Sequence, residues 1–135
     1  RAIVGWDSAR LAMILAVLET RCGLSFSGRD VYLSVAGGLR ITEPAADLAV
    51  AAALISSLAD RALPKQCVVF GEVALSGEVR PAGRTDLRLK EAAKLGFTQA
   101  FAPPQKKPGA SAGVKVRQIG HISDLAAAIG GDDFT

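Results

Sequence analysis

The chain has 135 residues, half of them hydrophobic and only 5% aromatic, with a formal net charge of +3. That length fits one domain able to bury roughly two-thirds of its unfolded surface, around a core of Ala, Val, Leu and Ile. So mild a positive charge is common among ordinary domains and does not by itself point to nucleic acid. No apolar run reaches the ~18 residues of a membrane span. No initiator Met or signal peptide opens the chain, so it is expected to be an excised domain. Cys22 and Cys67 are the only cysteines and His121 the only histidine. Without a CxxC there is no zinc ligand set, and both thiols are expected to be buried and reduced, as in the cytoplasm.

In chain order, Asp7 or Ser8 can cap a helix through Leu11, Ile14, Leu15 and Leu18, which share one face, and Gly23 stops it. Residues 30–36 alternate and are rich in β-formers, which predicts a strand. Gly37-Gly38 breaks it, and residues 39–42 can form a second short strand. Pro44 suits a helix's first turn. Residues 45–62 are apolar on nearly every side between Leu48 and Ile55, as a central buried helix is, and Pro64 ends them. Residues 67–73 read as a buried strand, continued over 74–80 through a hairpin turn at Ser76-Gly77.

After the loop Pro81-Ala82-Gly83, Thr85 or Asp86 opens a helix that ends at Gly96. Residues 99–102 are a strand closed by Pro103-Pro104, 105–113 an exposed loop, and 114–119 a strand. Ser123 caps a last helix over 124–129, ended by Gly130-Gly131. The irregular alternation and the hairpin predict an α/β fold of the α+β, mixed-sheet kind, not a plain Rossmann repeat. Trp6, Phe26, Tyr32, Phe70, Phe97 and Phe101 are expected in the core. Glu72 and Glu78, which flank the hairpin, read as structural, and His121 as a surface or capping residue.

Four stretches carry a family resemblance: residues 10–18 (RLAMILAVL), 31–48 (VYLSVAGGLRITEPAADL), 68–83 (VVFGEVALSGEVRPAG) and 91–97 (EAAKLGF). In this order they resemble the RadA (Sms) family of bacterial DNA recombination and repair proteins. The GEV…GEVRP pair is also similar to the Lon protease domain, whose fold that family shares. The resemblance implies a single Lon-protease-like domain over residues 1–135, with the ribosomal S5 domain 2-like fold, from the C-terminal part of a longer protein. The zinc finger and RecA-like ATPase core of that protein would precede it, and ATP, Mg and Zn would be held there. The chain itself has no GxxxxGK[ST], and residues 109–113 (GASAG) read as a loop, not a phosphate cradle.

Lon proteases use a Ser-Lys dyad. The serine attacks the peptide carbonyl, and a lysine kept neutral by burial takes its proton. The serine lies in a Gly-Pro-Ser-Ala-Gly-type turn at a helix start. The matching stretch here is Glu43-Pro44-Ala45-Ala46-Asp47, which puts the serine position on Ala45. An ungapped match puts the lysine position, just after Pro81-Ala82-Gly83, on Asp86. Removing a nucleophile costs many orders of magnitude in rate, so the resemblance implies no catalytic residues and no enzyme in this domain, within a parent DNA-dependent ATPase. Ser56, Ser57 and Ser76 have no adjacent base in sequence, and Lys90 and Lys94 read as a solvated helix face.

The densest basic segment is Arg80, Arg84, Arg88, Lys90 and Lys94; a second is Lys106, Lys107, Lys115 and Arg117. Either could bind phosphates, each contact adding a salt-dependent increment, although Asp86 and Glu91 interleave the first and offer it internal partners. No aromatics are interleaved for base stacking, so DNA contact would be electrostatic and independent of sequence. The resemblance further implies a homo-hexameric ring around DNA during branch migration, with the recombinase RecA as a partner of the full-length protein. A ring needs two different complementary faces; the Gly37-Gly38 region and the Ser76-Gly77 hairpin are candidates. Arg29, Arg40 and Arg61 read as ring contacts or solvated charges. The rival readings are a working Lon-type peptidase and a structural ring module without DNA contact.

Overall fold

The computed structural model describes residues 1–105 and 113–130. Lys106, Lys107 and most of the loop expected over 105–113 lie outside the described residues. Strand β1 (Ala2–Val4) runs parallel to β2 (Tyr32–Ser34), with Ile3 opposite Leu33. Between them α1 (Ser8–Cys22) begins where the Asp7 carboxylate accepts the Ala9 N–H at 3.0 Å. It ends at Gly23, whose left-handed backbone (φ 67°) is open to glycine at little cost. The strand expected over 30–36 shortens to β2, because Gly37 at φ 78° winds the chain into a 3-10 turn. The strand expected over 39–42 does not form. Ile41 gives its N–H to the carbonyl of Gly5, just beyond β1, at 2.8 Å, and Leu39 projects into solvent, 63% exposed.

The central helix α2 (Asp47–Ala59) follows a 3-10 turn, Pro44–Ala46. It stops short of residue 62 because Asp60 turns left-handed (φ 53°) and gives its N–H to the Ser56 and Ser57 carbonyls. The run expected as one strand over 67–73 splits into β3 (Cys67–Val69) and β4 (Glu72–Val73). At the break, the Gly71 N–H donates to the Ala45 carbonyl at 2.9 Å, and its own carbonyl accepts from Leu48 N–H at 3.0 Å. The chain leaves the parallel sheet to bond the head of α2. Strand β4 then pairs antiparallel with β5 (Val79–Arg80), closed by the expected turn with Gly77 at φ 90°.

Helix α3 (Thr85–Lys94) leads to β6 (Gln99–Ala102), and β7 (Lys115–Gln118) follows. The order β3-β6-β7 is parallel throughout. Helix α4 (Ile122–Gly130) starts earlier than expected and is not capped by Ser123. His121 caps it: its ring Nδ1 accepts the Ser123 N–H at 3.1 Å, and Asp124 accepts the His121 N–H at 3.2 Å. That reciprocal pattern is a capping box with imidazole as the acceptor.

Successive side chains of a strand face opposite sides of the sheet. Cys67, Val69 and Phe101 join the main core with Leu11, Ile14 and Leu18 of α1, Leu48 and Ile55 of α2, and Leu125 of α4. Val68, Ala100, Ala102 and Val116 face the other way, against Leu89 of α3 and Phe70. Helices on both sides of the parallel β3-β6-β7 sheet make this an α/β fold; the mixed sheet expected from the sequence is instead separate parallel and antiparallel sheets, because the chain leaves β3 at Gly71 before pairing β4 with β5. Trp6, Phe26, Phe70 and Phe101 are buried as expected, whereas Tyr32 is 76% exposed. It stands on the outer side of a two-stranded pair that no further described strand joins. Both cysteines are half-buried and free. No helix among the described residues is long and apolar enough to cross a membrane.

Candidate functional site

Ala45 lies in the turn at the head of α2 and is 3% exposed. Its side chain is a methyl group, and its carbonyl is fixed by Gly71. A Cβ on Gly71 would lie 2.9 Å from Val79, 3.1 Å from Pro103 and 3.3 Å from Leu48. The first glycine of the GEV…GEV pair therefore lets this turn close on the hairpin. Asp86 is exposed in the first turn of α3. Of the other serines weighed, Ser56 gives its hydroxyl to the Arg61 carbonyl, and Ser76 accepts the Glu78 N–H at 3.3 Å. Ser57 lines a cavity of about 350 Å³ between β2 and α2 that contains Arg29 but neither dyad position and none of the DNA-contact candidates. No group of three His, Cys, Asp or Glu among the described residues is placed to hold a metal ion.

One residue beyond the turn, Asp47 is fully buried. Arg10 reaches it from α1 with two donors: Nε to Oδ1 at 2.6 Å, and Nη2 to Oδ2. The Val73 N–H of β4 adds a third donor at 3.1 Å. Three elements thus meet on one carboxylate. The hydrogen bonds from Arg10 to that carboxylate raise the guanidinium's pKa above its ordinary value, against the opposing effect of burial. The sequence reading missed this pair. A signal was present: each is an isolated charge, Arg10 at the edge of the apolar run 11–18 and Asp47 as the single charge in the stretch 44–59.

Of the basic candidates, Arg80, Arg84, Lys90 and Lys94 are exposed along β5 and α3. Lys90 and Lys94 are four apart and share a helix face. Arg84 is left-handed (φ 56°) and precedes α3 without a side-chain cap. Arg88 is held differently. Its Nε donates to the Gly83 carbonyl at 3.0 Å, its Nη2 donates to Glu43 at 3.1 Å, and its guanidinium lies 5.9 Å over the Phe70 ring. Its acidic partner is therefore not Asp86 or Glu91, as sequence proximity suggested, but Glu43, on the turn where the serine position falls. Lys115 and Arg117 are exposed on β7, and Arg117 pairs with Phe101, whose side chain faces the main core. They project on the side of the sheet opposite α3, so among the described residues Lys115 and Arg117 do not join the α3 cations in one patch.

Residues 8–106 match the family model described as subunit ChlI of Mg-chelatase. The chain belongs to the ChlI family. Its similarity along the chain is to RadA members. It is 66% identical over 103 residues to the DNA repair protein RadA of Brucella abortus (strain 2308), covering 76% of this chain and 22% of that protein. It is 47% identical over 130 residues to the protein of that name from Rickettsia bellii (strain RML369-C), covering 96% and 28%. It is 44% identical over 136 residues to that of Synechocystis sp. (strain ATCC 27184 / PCC 6803 / Kazusa), covering 100% and 27%. This ChlI-family domain thus spans about a quarter of the length of these relatives and matches their C-terminal region. The resemblance carried by the four sequence stretches is thereby a family membership.

Proposed function

We propose that this chain is a non-proteolytic assembly and DNA-contact domain of a RadA-type DNA repair protein. The parent would be a cytoplasmic DNA-dependent ATPase promoting branch migration in homologous recombination. Its preceding parts would hold ATP, Mg and Zn, and this domain would help hold a homo-hexamer around DNA, with RecA met through the full-length protein.

The observation that carries the reading is Ala45. A buried methyl, not a hydroxyl, stands at the head of α2, and the lysine position is an exposed carboxylate. A carboxylate cannot act as the neutral amine of a dyad. The DNA half of the reading is supported by the RadA relatives, which are named DNA repair proteins, and by the exposed Arg80, Arg84, Lys90 and Lys94. Such a surface binds phosphates without reading bases.

Two measurements test the two halves. Incubation with casein and with a fluorogenic peptide over several pH values should give no cleavage; turnover abolished by a serine-reactive probe would overturn the non-proteolytic half. Mobility shift of a mixed-sequence duplex over a salt series should give binding that weakens steeply with salt. No binding even at low salt would leave a structural ring module without DNA contact.

A further inference from the structure

We infer that Glu43 is an internal stand-in for a DNA phosphate: it occupies Arg88 in the nucleic-acid-free domain and yields it when DNA docks along α3. The inference rests on the DNA reading above and adds a competitor built into the fold.

Three contacts aim Arg88, and they differ in permanence. Phe70 beneath the guanidinium is a core residue, 6% exposed. The Gly83 carbonyl that accepts from Nε belongs to the loop leading into α3. Both hold the side chain in place whatever Nη2 does. Glu43 is different. Its side chain is 55% exposed, that of Arg88 is 30% exposed, and it comes from a turn distant in sequence. A pair this open to water contributes only about 0–1 kcal/mol and is screened by salt, so a competing anion can displace it.

The natural competitor is a phosphate, because carboxylate and phosphate oxygens satisfy the same guanidinium donors. The surroundings favour that exchange. Arg84 precedes Arg88 by one helical turn, its carbonyl accepting the Arg88 N–H at 2.9 Å, and it is exposed. Once released from Glu43, Arg88 joins Arg84 as a second cation beside the N-terminal turn of α3, held by Phe70 and Gly83 without a search for its rotamer. Glu43 thus lowers the affinity of this face for nucleic acid by the worth of its ion pair with Arg88.

The test is a double-mutant cycle on the 135-residue chain, read by fluorescence anisotropy with a mixed-sequence duplex over a salt series. Glu43→Gln should bind about two- to fivefold more tightly at low salt, because the pair no longer has to be broken, and the gain should shrink at higher salt, which screens that pair in the wild type. The gain should vanish in an Arg88→Gln background. Should that background lose its helical circular dichroism, Arg88→Lys takes its place; it keeps the charge but not the fork, and most of the gain should go. Glu91→Gln, the same charge change on α3, should gain less than twofold. Equal gains from Glu43→Gln and Glu91→Gln, or a gain that survives without Arg88, would mean bulk electrostatics and overturn the inference. Wild-type binding with no gain in Glu43→Gln overturns it alone. No binding by any variant at low salt overturns the DNA reading and this inference with it.

Discussion

Asp47 has no contact with solvent, so its charge depends on Arg10 and the Val73 amide for compensation. A buried carboxylate deprived of its cation is costly, whereas the cation left behind can turn to water, since the Arg10 side chain is 28% exposed. Arg10→Met should therefore lower unfolding stability by about 3 kcal/mol. Asp47→Asn, which still offers an acceptor to Val73, should cost less. Urea denaturation checks both, and a loss below about 1 kcal/mol in Arg10→Met would show that the pair does not hold α1, α2 and β4 together. Cys22 yields a pH prediction. Burial pushes its thiol up to about 11 from an ordinary 9.0. The folded state favours the protonated thiol, so the associated stability is complete below pH 9.0 and is lost as pH rises through about 11. Because the thiolate is the nucleophile, iodoacetamide at pH 8 should label Cys22 far more slowly in the folded chain than in urea. Equal rates would mean the thiol is not shielded.

At the scale of elements, legibility followed the range of the deciding interaction. Helix α1 was readable because Asp7, the face Leu11–Ile14–Leu15–Leu18 and Gly23 all act within the segment, and β6 was readable because its prolines close it. The break at Phe70-Gly71 was not, because it is set by the Ala45 carbonyl, which no local pattern announces. The start of α4 was misread for a related reason: Ser123 looks like a cap, but the acceptor is the His121 ring. Gly77 was legible as a turn, yet not as the place where a Cβ would come within 2.6 Å of His121 Nε2. The cap can be tested directly. His121→Ala should cost about 1 kcal/mol, and His121→Asn, which restores a side-chain acceptor, should recover most of it. Equal losses would mean that the imidazole matters for packing over Gly77 and not for capping.

At the scale of the whole molecule, the sheet separates the described members of the two basic groups read from the sequence. Arg84, Lys90 and Lys94 lie at the start of α3 and along it, whereas Lys115 and Arg117 project beside Phe101 on the side that carries α1, α2 and α4. A rigid duplex laid along one side cannot place its phosphates against both without wrapping the edge at β7. Among the described members of the two basic groups, the α3 side has more exposed cations, so that is where the duplex is expected to dock. Lys90→Glu with Lys94→Glu should weaken duplex binding strongly and flatten the salt slope by about 0.9 for each phosphate that is no longer neutralised. Lys115→Glu with Arg117→Glu imposes the same charge change on the other side and should have a much smaller effect on the slope, since a distant charge steers approach without releasing counterions where the duplex sits. If the two double variants flatten the slope equally, the nucleic acid touches both sides of the sheet. The domain would then be enclosed by its ligand, a geometry that one face of a ring cannot provide.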